Sequence, residues 1–478
     1  MNPIHTLVYF LLFFISFLSS FHAILHKRDS RAAFGWIVTC FVLLGFGPIL
    51  YWLFGTNRIR THAQSMFRRG YWNHRTKTER DHWYNCLPAN HRYYKNDYLG
   101  ILQVSDKVTR RPLMMGNRLE TFHLGEEVFQ RMITSITKAE KFVYLCSYIF
   151  EVGEIGVEII KALDIAKKRG VQIRVLVDAF GEIYSSPKVD KLLSGYGIKF
   201  SKFLPLSLSL NSLHFNLRNH RKMLVVDGKT AFLGGMNIRD RHLSDYLPKK
   251  NRIADIHFQI DGPVVMELQE AFLEDWYFAT SESLPWYASK NHVVSGDSVC
   301  RAISGGPNED FEKIEWIILG AISSARKSIQ IMTPYFVPDR ILISALNTAA
   351  LRGVEVEVIV PKFNNLIFVD WASQALFWEL LEKGVKIYYQ PAPFAHSKLF
   401  IIDQTYSLIG SSNWDSRSLR LNFELDLEVY DANFSETLVK HFENTKEKSQ
   451  PVTLQDVNKK HWLVQSRNSF MKLFTPYL

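Results

Sequence analysis

The sequence predicts an α/β fold in which two similar α/β/α sandwich units form an intrachain pseudo-dimer, preceded by an N-terminal transmembrane helical hairpin. Three observations lead to this prediction. Two long apolar runs stand at the start of the chain, a strand–helix–strand pattern follows twice, and each copy carries the same polar motif. Strands that alternate with helices are typical of layered α/β folds with parallel strands. The predicted domains are the hairpin (1–57), a basic linker (58–115) and the two units (116–290 and 291–478).

Two apolar runs near the N-terminus predict a pair of membrane-spanning helices. Residues 3–25 contain only His5 and His22 as ionisable side chains, and residues 32–55 contain no charged side chain. Each run exceeds the roughly 20 residues that cross a bilayer core. A cleaved signal peptide is the alternative for the first run, but that run lacks a basic start and a second apolar run follows at once. A buried core helix is the alternative for both.

Basic residues around these runs favour a cytoplasmic main part, because positive charges accumulate on the cytoplasmic side of a membrane. The link between the runs carries Lys27, Arg28 and Arg31, and a larger group follows the second run. Aromatic residues suited to the membrane interface are Trp36, Tyr51 and Trp52. The larger basic group is Arg58, Arg60, Arg68, Arg69 and Arg75.

Composition narrows the class of protein but not its activity. Of 478 residues, 47% are hydrophobic and 22% are charged, which indicates a folded chain rather than a disordered one. The net charge of +10 suits nucleic acid and anionic lipid equally well. The cysteines are far apart and form no zinc or disulfide pattern; they are Cys40, Cys86, Cys146 and Cys300.

An internal repeat predicts two copies of one α/β unit. The words RGVQIRVLVD and RGVEVEVIVP each join the end of a helix, a glycine turn and a buried strand. A further strand and helix precede each word, so any shared site would lie where the two units meet. The predicted elements are Val143–Phe150, Ile155–Arg169 and Val171–Val177 in the first copy, and Ile329–Met332, Arg340–Leu351 and Val354–Val360 in the second.

Each copy contains His-x-Lys-x4-Asp, followed at equal distances by a glycine and an asparagine. Two such motifs inside one repeat are not accidental. Residues two apart on a strand face the same side, so each His and Lys project together. The motif residues are His220, Lys222, Asp227, Gly234 and Asn237 in the first copy, and His396, Lys398, Asp403, Gly410 and Asn413 in the second.

These residue types suit transfer of a phosphoryl group. Lysines and amides stabilise the charge on the nonbridging oxygens of a phosphodiester. An imidazole titrates near neutral pH, so one His can attack phosphorus while the other protonates the departing alcohol and then deprotonates the incoming one. Small residues before each asparagine, Ser411 among them, would admit a phosphate. We expect no metal and no cofactor.

Four carboxylates near the motifs have open roles. Asp227 and Asp403 close the motifs, and a turn or salt-bridge role is favoured over catalysis. Asp255 and Glu424 follow the two motifs at comparable distances. They either hold an imidazole N–H and fix its tautomer, or are ordinary charges at strand edges.

The residues 116–478 resemble the phospholipase D superfamily, and in particular its bacterial cardiolipin synthases. The resemblance rests on NLRNHRKMLVVDG, FLGGMNI, IMTPYFVPD, PAPFAHSKLFIID, IGSSNWDSRS and NFELDLEVYD. It implies a fold of two α/β/α units, with His220 as the nucleophile and His396 as the acid/base, an assignment that spacing leaves open. Two features depart from the family: Glu182 stands where Ser is expected, and the insert at residues 204–216 is either an acyl entrance or a longer loop.

The resemblance predicts a phosphatidyltransferase that joins two phosphatidylglycerols into cardiolipin and releases glycerol. The expected partners are phosphatidylglycerol and other anionic membrane lipids, and no nucleic acid. A membrane anchor supports this, because it confines both substrates to one plane with the enzyme. The alternatives are a hydrolytic phospholipase D, a membrane-tethered phosphodiesterase or nuclease, and an inactive membrane scaffold. Oligomeric state is left open.

Overall fold

The computed structural model describes residues 3–27, 30–56, 99–205, 217–243, 248, 252–287, 294–307 and 311–475. These residues belong to two compact units, an N-terminal unit (3–56) and a main unit (99–205 and 217–475).

The N-terminal unit holds one long helix and a broken second one. Helix α1 (Pro3–His26) is the one helix in the described ranges that is long and apolar enough to cross a membrane. The second apolar run is divided into α2 (Ser30–Val42), α3 (Phe46–Leu50) and a π-helical turn (Tyr51–Gly55). Thirteen residues make α2 roughly 20 Å long, which is short of a bilayer core of about 30 Å. The structure therefore does not show the expected second continuous span.

The second run breaks at a glycine turn and returns along its own path. Gly45 has a φ of 85°, and a Cβ there would lie 2.9 Å from Leu12, which is in the middle of α1. The hydroxyl of Tyr51 is 2.7 Å from His22 Nδ1, near the end of α1. Its ring lies 5.4 Å from that of Trp36, near the start of α2. The end of the run therefore lies beside its beginning.

The main unit contains nineteen strands in the described ranges. They are β1 (Met114–Phe122), β2 (Phe142–Ser147), β3 (Gln172–Asp178), β4 (Phe200–Phe203), β5 (Met223–Val226), β6 (Thr230–Gly234), β7 (Ile253–Ala254), β8 (His257–Asp261), β9 (Ser298–Gly305), β10 (Ser328–Met332), β11 (Phe336–Val337), β12 (Glu355–Pro361), β13 (Lys386–Gln390), β14 (Phe394–Ala395), β15 (Leu399–Ile402), β16 (Tyr406–Gly410), β17 (Trp414–Asp415), β18 (Glu424–Tyr430) and β19 (Gln450–Val452).

The α-helices of the main unit follow in the same order. They are α4 (Leu99–Thr109), α5 (Gly125–Lys138), α6 (Glu154–Lys168), α7 (Val189–Gly195), α8 (Val265–Thr280), α9 (Lys313–Ser324), α10 (Arg340–Leu351), α11 (Ile367–Gln374), α12 (Phe377–Leu381), α13 (Ser416–Arg420), α14 (Ala432–Lys446), α15 (Leu454–Asn458) and α16 (Trp462–Lys472).

Fifteen strands form one continuous sheet. From the middle of the sheet outward, equivalent strands of the two halves follow in the same order, and β19 is added at the edge of the second half. Antiparallel pairing of β1 with β9 joins the first half (β1 to α8) to the second (β9 to α16). Outward from that junction the first half runs β1-β8-β6-β5-β2-β3-β4, and the second runs β9-β18-β16-β15-β10-β12-β13-β19. The pairs β2–β3, β3–β4, β10–β12 and β12–β13 are parallel. The predicted repeat of a mixed α/β unit is thus confirmed.

Helices cover both faces of the first half of the sheet. Val143 and Leu145 of β2 pack in one core with Phe129 of α5 and Ile159 of α6. The alternate residue Tyr144 stacks on Phe272 of α8, with their ring centroids 4.8 Å apart. Both faces are buried, which explains why the strands of each half are almost wholly apolar rather than alternating.

Helix α4 lies inside the segment predicted as a linker. Residues 57–98 of that segment are outside the described residues. Within α4, Ser105 Oγ donates to Glu428 at 2.9 Å, and Asp106 forms an ion pair with buried Arg301 at 2.6 Å. Both partners are on strands of the second half, so α4 is packed on the main unit.

Candidate active site

The two motif histidines stand just before equivalent strands, β5 and β15. Each is fixed by a backbone bond to the opposite half. The N–H of His220 donates to the carbonyl of Phe423 at 2.9 Å, and the N–H of His396 donates to that of Ala254 at 2.7 Å. A short parallel bridge accompanies each bond, including the pairing of β14 with β7. The junction of the halves therefore sets the position of both imidazoles.

Each imidazole is held by a carboxylate from the other half. His220 Nδ1 lies 3.0 and 3.1 Å from the two oxygens of Glu424, and His396 Nδ1 lies 2.6 Å from Asp255 Oδ2. A carboxylate on Nδ1 fixes the tautomer in which Nε2 carries the lone pair. The sequence predicted that these carboxylates could hold imidazoles, but not that the partners would be exchanged between the halves.

The motif lysines belong to the same site. Lys222 and Lys398 each donate to the carbonyl of their own motif histidine, at 2.5 and 2.6 Å. The charges of both lysines act on His220, and the charge of Lys222 also acts on His396. The imidazoles of both motifs are therefore buried at the junction of the two halves.

Burial makes these bases weaker than usual. It lowers the pKa of His220 well below its ordinary value, and the charges of Lys222 and Lys398 lower it further. Burial also lowers the pKa of Lys222 to about 7 and that of Lys398 to about 8. A neutral imidazole at His220 is the form that can attack an electrophile.

The two carboxylates differ in their electrostatics. Burial opposes ionisation of Asp255, but the charges of His396 and Lys398 outweigh it and lower its pKa to about 2. Burial raises the pKa of Glu424 to about 7 despite the charge of Lys222. Asp255 is therefore an ionised partner for its imidazole, whereas Glu424 is only partly ionised near pH 7.

The asparagines border the site, and the serine supports a carboxylate. Asn237 Oδ1 accepts from the N–H of Ile149 at 3.1 Å, and Asn413 Nδ2 lies 3.1 Å from Ser418 Oγ. Ser411 Oγ donates to Glu424 at 2.5 Å. The structure thus places Ser411 behind the imidazole of His220, not in a position given to substrate.

The carboxylates of the two motif aspartates accept hydrogen bonds from backbone N–H groups. Asp227 accepts three N–H groups from the turn before β2, at 2.8 to 2.9 Å. Asp403 accepts three from the turn before β10, at 2.7 to 2.9 Å. Each aspartate stands five residues beyond its motif lysine along the strand, a distance of roughly 16 Å. Their inclusion among catalytic candidates is not supported, and the turn role is.

Four residues near the imidazoles were not predicted from the sequence. The ring of Tyr148 lies edge-on to His220 at 5.0 Å, and that of Tyr335 lies edge-on to His396 at 6.2 Å. The charge of Arg417 acts on His220, and buried Arg218 interacts with Tyr148 and Arg417. The alternation of a strand could have indicated Arg218, which stands two residues before His220.

The two departures from the family pattern have different outcomes. Glu182 forms an ion pair with Lys202 at 2.8 Å, next to the end of β3. Most of the insert at 204–216 lies outside the described residues. The remaining cluster of two imidazoles, two ammonium groups and two amides can bind a phosphodiester and exchange its alcohol by two successive displacements.

Comparison with known proteins agrees with this chemistry. Residues 132–276 and 318–446 match the family described as cardiolipin synthase, PLD-like domain. The cardiolipin synthase of Clostridium perfringens is 32% identical over 95% of this chain and 96% of its own. The major cardiolipin synthase of Bacillus subtilis is 31% identical over 95% of both chains.

A solved structure shares the fold. The phosphatidylserine synthase of Haemophilus influenzae superposes with a TM-score of 0.63 and 16% identity, covering 79% of this chain and 100% of its own. The family match and the relatives together identify the activity class. The chain belongs to the cardiolipin synthases with a phospholipase D-like domain, and it is a phosphatidyltransferase of the phospholipase D superfamily.

Proposed function

We propose that this protein transfers the phosphatidyl group of one phosphatidylglycerol to a second one, giving cardiolipin and free glycerol. The observation that carries the proposal is the exchange of partners between the halves: His220 rests on Glu424 and His396 rests on Asp255. Two oriented imidazoles with two lysines are what an exchange of alcohols at phosphorus requires. The relatives are cardiolipin synthases, and this indicates cardiolipin as the lipid product.

In the first step His220 Nε2 attacks phosphorus, and the bond from phosphorus to the oxygen of the headgroup glycerol breaks. His396 gives its proton to that oxygen, so neutral glycerol leaves and a phosphatidyl-histidine forms. In the second step His396 takes the proton of the acceptor hydroxyl, whose oxygen attacks phosphorus. The bond from phosphorus to nitrogen breaks, and His220 returns to its neutral form.

The difference between the carboxylates supports this division of roles. Ionised Asp255 at 2.6 Å favours a proton on His396, as an acid requires. Burial, together with the charge of Lys398, lowers the pKa of His396 to about 3, while Asp255 opposes both. A phosphate anion that binds beside the lysines offsets their charge and favours the protonated acid. Glu424, with its raised pKa, leaves His220 as a neutral nucleophile.

Lys222, Lys398, Asn237 and Asn413 are proposed to hold the nonbridging oxygens. Glu424 and Asp255 act through the imidazoles, and Ser411 acts through Glu424. The two phospholipase D-like units are proposed as 116–290 and 291–478. The packing of α4 favours a start of the main unit before residue 116.

The anchor is proposed to be one spanning helix and one re-entrant segment. Helix α1 crosses the bilayer, while α2 enters it, turns at Gly45 and comes back to its own side through α3. The ring contact of Tyr51 with Trp36 supports this path. The basic groups at residues 27–31 and 58–75 then share one side, which the positive-inside rule makes cytoplasmic.

Purified protein and labelled phosphatidylglycerol in mixed micelles test the reaction. We expect cardiolipin and glycerol in equal amounts, with activity retained in EDTA. His220→Ala should lower turnover at least about 10³-fold, and its thermal unfolding midpoint should stay near that of the wild type. Phosphatidic acid as the sole product would identify a hydrolase instead. Cardiolipin formation by His220→Ala would contradict the assigned nucleophile.

A further inference from the structure

A buried arginine beside the nucleophile is not needed for the proposed displacement. Arg218 is 2% exposed, and its Nε and Nη2 find no hydrogen-bond partner among the described residues. Its guanidinium carbon lies 4.8 Å from the ring centroid of Phe180. Burial of a guanidinium with unpaired N–H groups is unfavourable, so these groups point to an anion that is bound during the reaction.

Asp178 is the carboxylate that acts most strongly on Arg218, and its oxygens already accept hydrogen bonds from the backbone. Asp178 accepts N–H groups from Phe180 and Gly181 at one oxygen and from Asn219 at the other, at 2.8 to 3.3 Å. The charge of Asp178 acts on Arg218, and the described residues show no ion pair between the two. Asp178 therefore offsets part of the charge but leaves the donors of Arg218 for a ligand.

Arg218 lies on the His220 side of the site together with a second arginine. Arg417, on α13, acts electrostatically on both Arg218 and His220. Tyr148 also interacts with both arginines, and its ring packs edge-on to His220. Arg218 stands two residues before His220 in the chain. Arg417 precedes Ser418, whose hydroxyl accepts from Asn413 at 3.1 Å. Both arginines therefore belong to segments that carry residues of the site.

The His220 side of the site holds two arginines in addition to the motif lysines. Lys222 and Lys398 stand with the imidazoles and serve the reacting phosphate, which carries one negative charge. Arg218 and Arg417 add two further cations next to His220. Arginine is suited to a phosphate, because its planar fork can donate two parallel hydrogen bonds.

We propose that Arg218 and Arg417 form a second phosphate subsite, which binds the unreactive phosphate of the acceptor lipid. The subsite rests on the proposed function and makes the acceptor specific: an alcohol that carries its own phosphodiester is oriented for attack on the phosphatidyl-histidine. Water and simple alcohols lack that phosphate and gain nothing from the pair. The enzyme is thus biased toward joining two lipids over hydrolysing one.

The experiment measures how one intermediate divides between two acceptors. Full-length protein in micelles receives labelled phosphatidylglycerol with ethanol at a fixed concentration, and the ratio of cardiolipin to phosphatidylethanol is recorded. Both products come from the same phosphatidyl-histidine, so the ratio does not depend on how much enzyme is folded. Arg218→Gln and Arg417→Gln should lower it by about 10- to 100-fold, the value of one charge-assisted contact.

Two controls distinguish the subsite from a general loss of positive charge and from contact with the membrane. Arg131→Gln, an exposed arginine on α5, should leave the ratio unchanged. Glycerophosphoglycerol, which has the phosphate but no acyl chains, should lose reactivity in Arg218→Gln as phosphatidylglycerol does. A loss with the lipid alone would assign the arginines to membrane contact and overturn the proposal.

The remaining outcomes are equally decisive. A ratio within about twofold of wild type in both variants overturns the subsite and leaves the proposed function intact. Loss of both products together also overturns it, because the arginines would then serve the fold or the first step. A wild-type protein that yields phosphatidylethanol but no cardiolipin overturns the proposed function itself.

Discussion

The pKa values of the basic residues in this site are shifted by burial more than by their immediate partners. The two lysines illustrate this, since burial brings the pKa of Lys222 to about 7 and that of Lys398 to about 8. The imidazole of His220 is kept neutral by the same burial and by the lysine charges. A substrate phosphate reverses the situation, because its negative charge favours protonated lysines and a protonated acid.

The lysine pKa values predict an alkaline limb in the pH profile. Each lysine is charged below its lowered pKa and loses the proton as pH rises through 7 to 8, so binding of the phosphodiester anion weakens. We expect kcat/KM, which reports the free enzyme, to fall above about pH 8. Lys222→Arg and Lys398→Arg keep their charge and should move this limb upward by at least about one pH unit. Lys440→Arg on the surface is the control, and identical limbs in all variants would contradict the assignment.

At the scale of elements, one strand in each half has a role in the site at its start and a structural role at its end. The start of β5 or β15 presents the imidazole and lysine, and the residue after the strand binds the turn before a neighbouring strand. The halves are not identical, however. Ser411 stands behind Glu424, whereas a Cβ at the equivalent Gly235 would lie 2.2 Å from Asp255. The shorter aspartate leaves no room for a side chain there, so the carboxylates cannot simply be exchanged.

Asp403 offers a direct test of structural against catalytic roles. Its carboxylate accepts three backbone N–H groups before β10, and Asp403→Ala leaves them without that partner. We expect a loss of about 2 kcal/mol in stability, seen as a lower midpoint of thermal unfolding. At low temperature kcat should stay within about threefold of wild type. Glu436→Ala on the surface of α14 should change neither quantity. A collapse of kcat with an unchanged midpoint would return Asp403 to the catalytic set.

At the scale of the whole molecule, the site exists because two halves are joined. Each motif imidazole is oriented by a carboxylate of the other half: His220 by Glu424, and His396 by Asp255. Pairing of β1 with β9 makes the sheet continuous across the junction. The fold therefore couples assembly of the pseudo-dimer to assembly of the site.

The proposed membrane arrangement has a topological consequence. With one spanning helix and a re-entrant segment, Pro3 lies outside, while Ser30 and Thr56 lie on the cytoplasmic side. A membrane-impermeant maleimide applied to intact spheroplasts should label Pro3→Cys but not Ser30→Cys or Thr56→Cys, in a background without native cysteines; permeabilised cells should label all three. Two full spans would reverse this, with Ser30→Cys labelled and the other two protected.

The sequence by itself determined the repeat, the paired motifs and the class of chemistry. Local features carry these: the words around Gly170 and Gly353 mark equivalent turns, and His220 and His396 stand at matching distances from Asn237 and Asn413. Spacing along one strand predicts which side chains project together, because the alternation of a strand is a local property.

Only the tertiary structure decided which half holds which imidazole. That depends on contacts between residues 204 positions apart for His220 and Glu424, and no local pattern encodes such a pairing. Contacts between distant residues also bury Arg218 and bring Ser411 to Glu424, so neither role could be predicted from local sequence. The break at Gly45 was not predicted, because an apolar run indicates affinity for a membrane but does not show which of its residues pack together, as Tyr51 and Trp36 do.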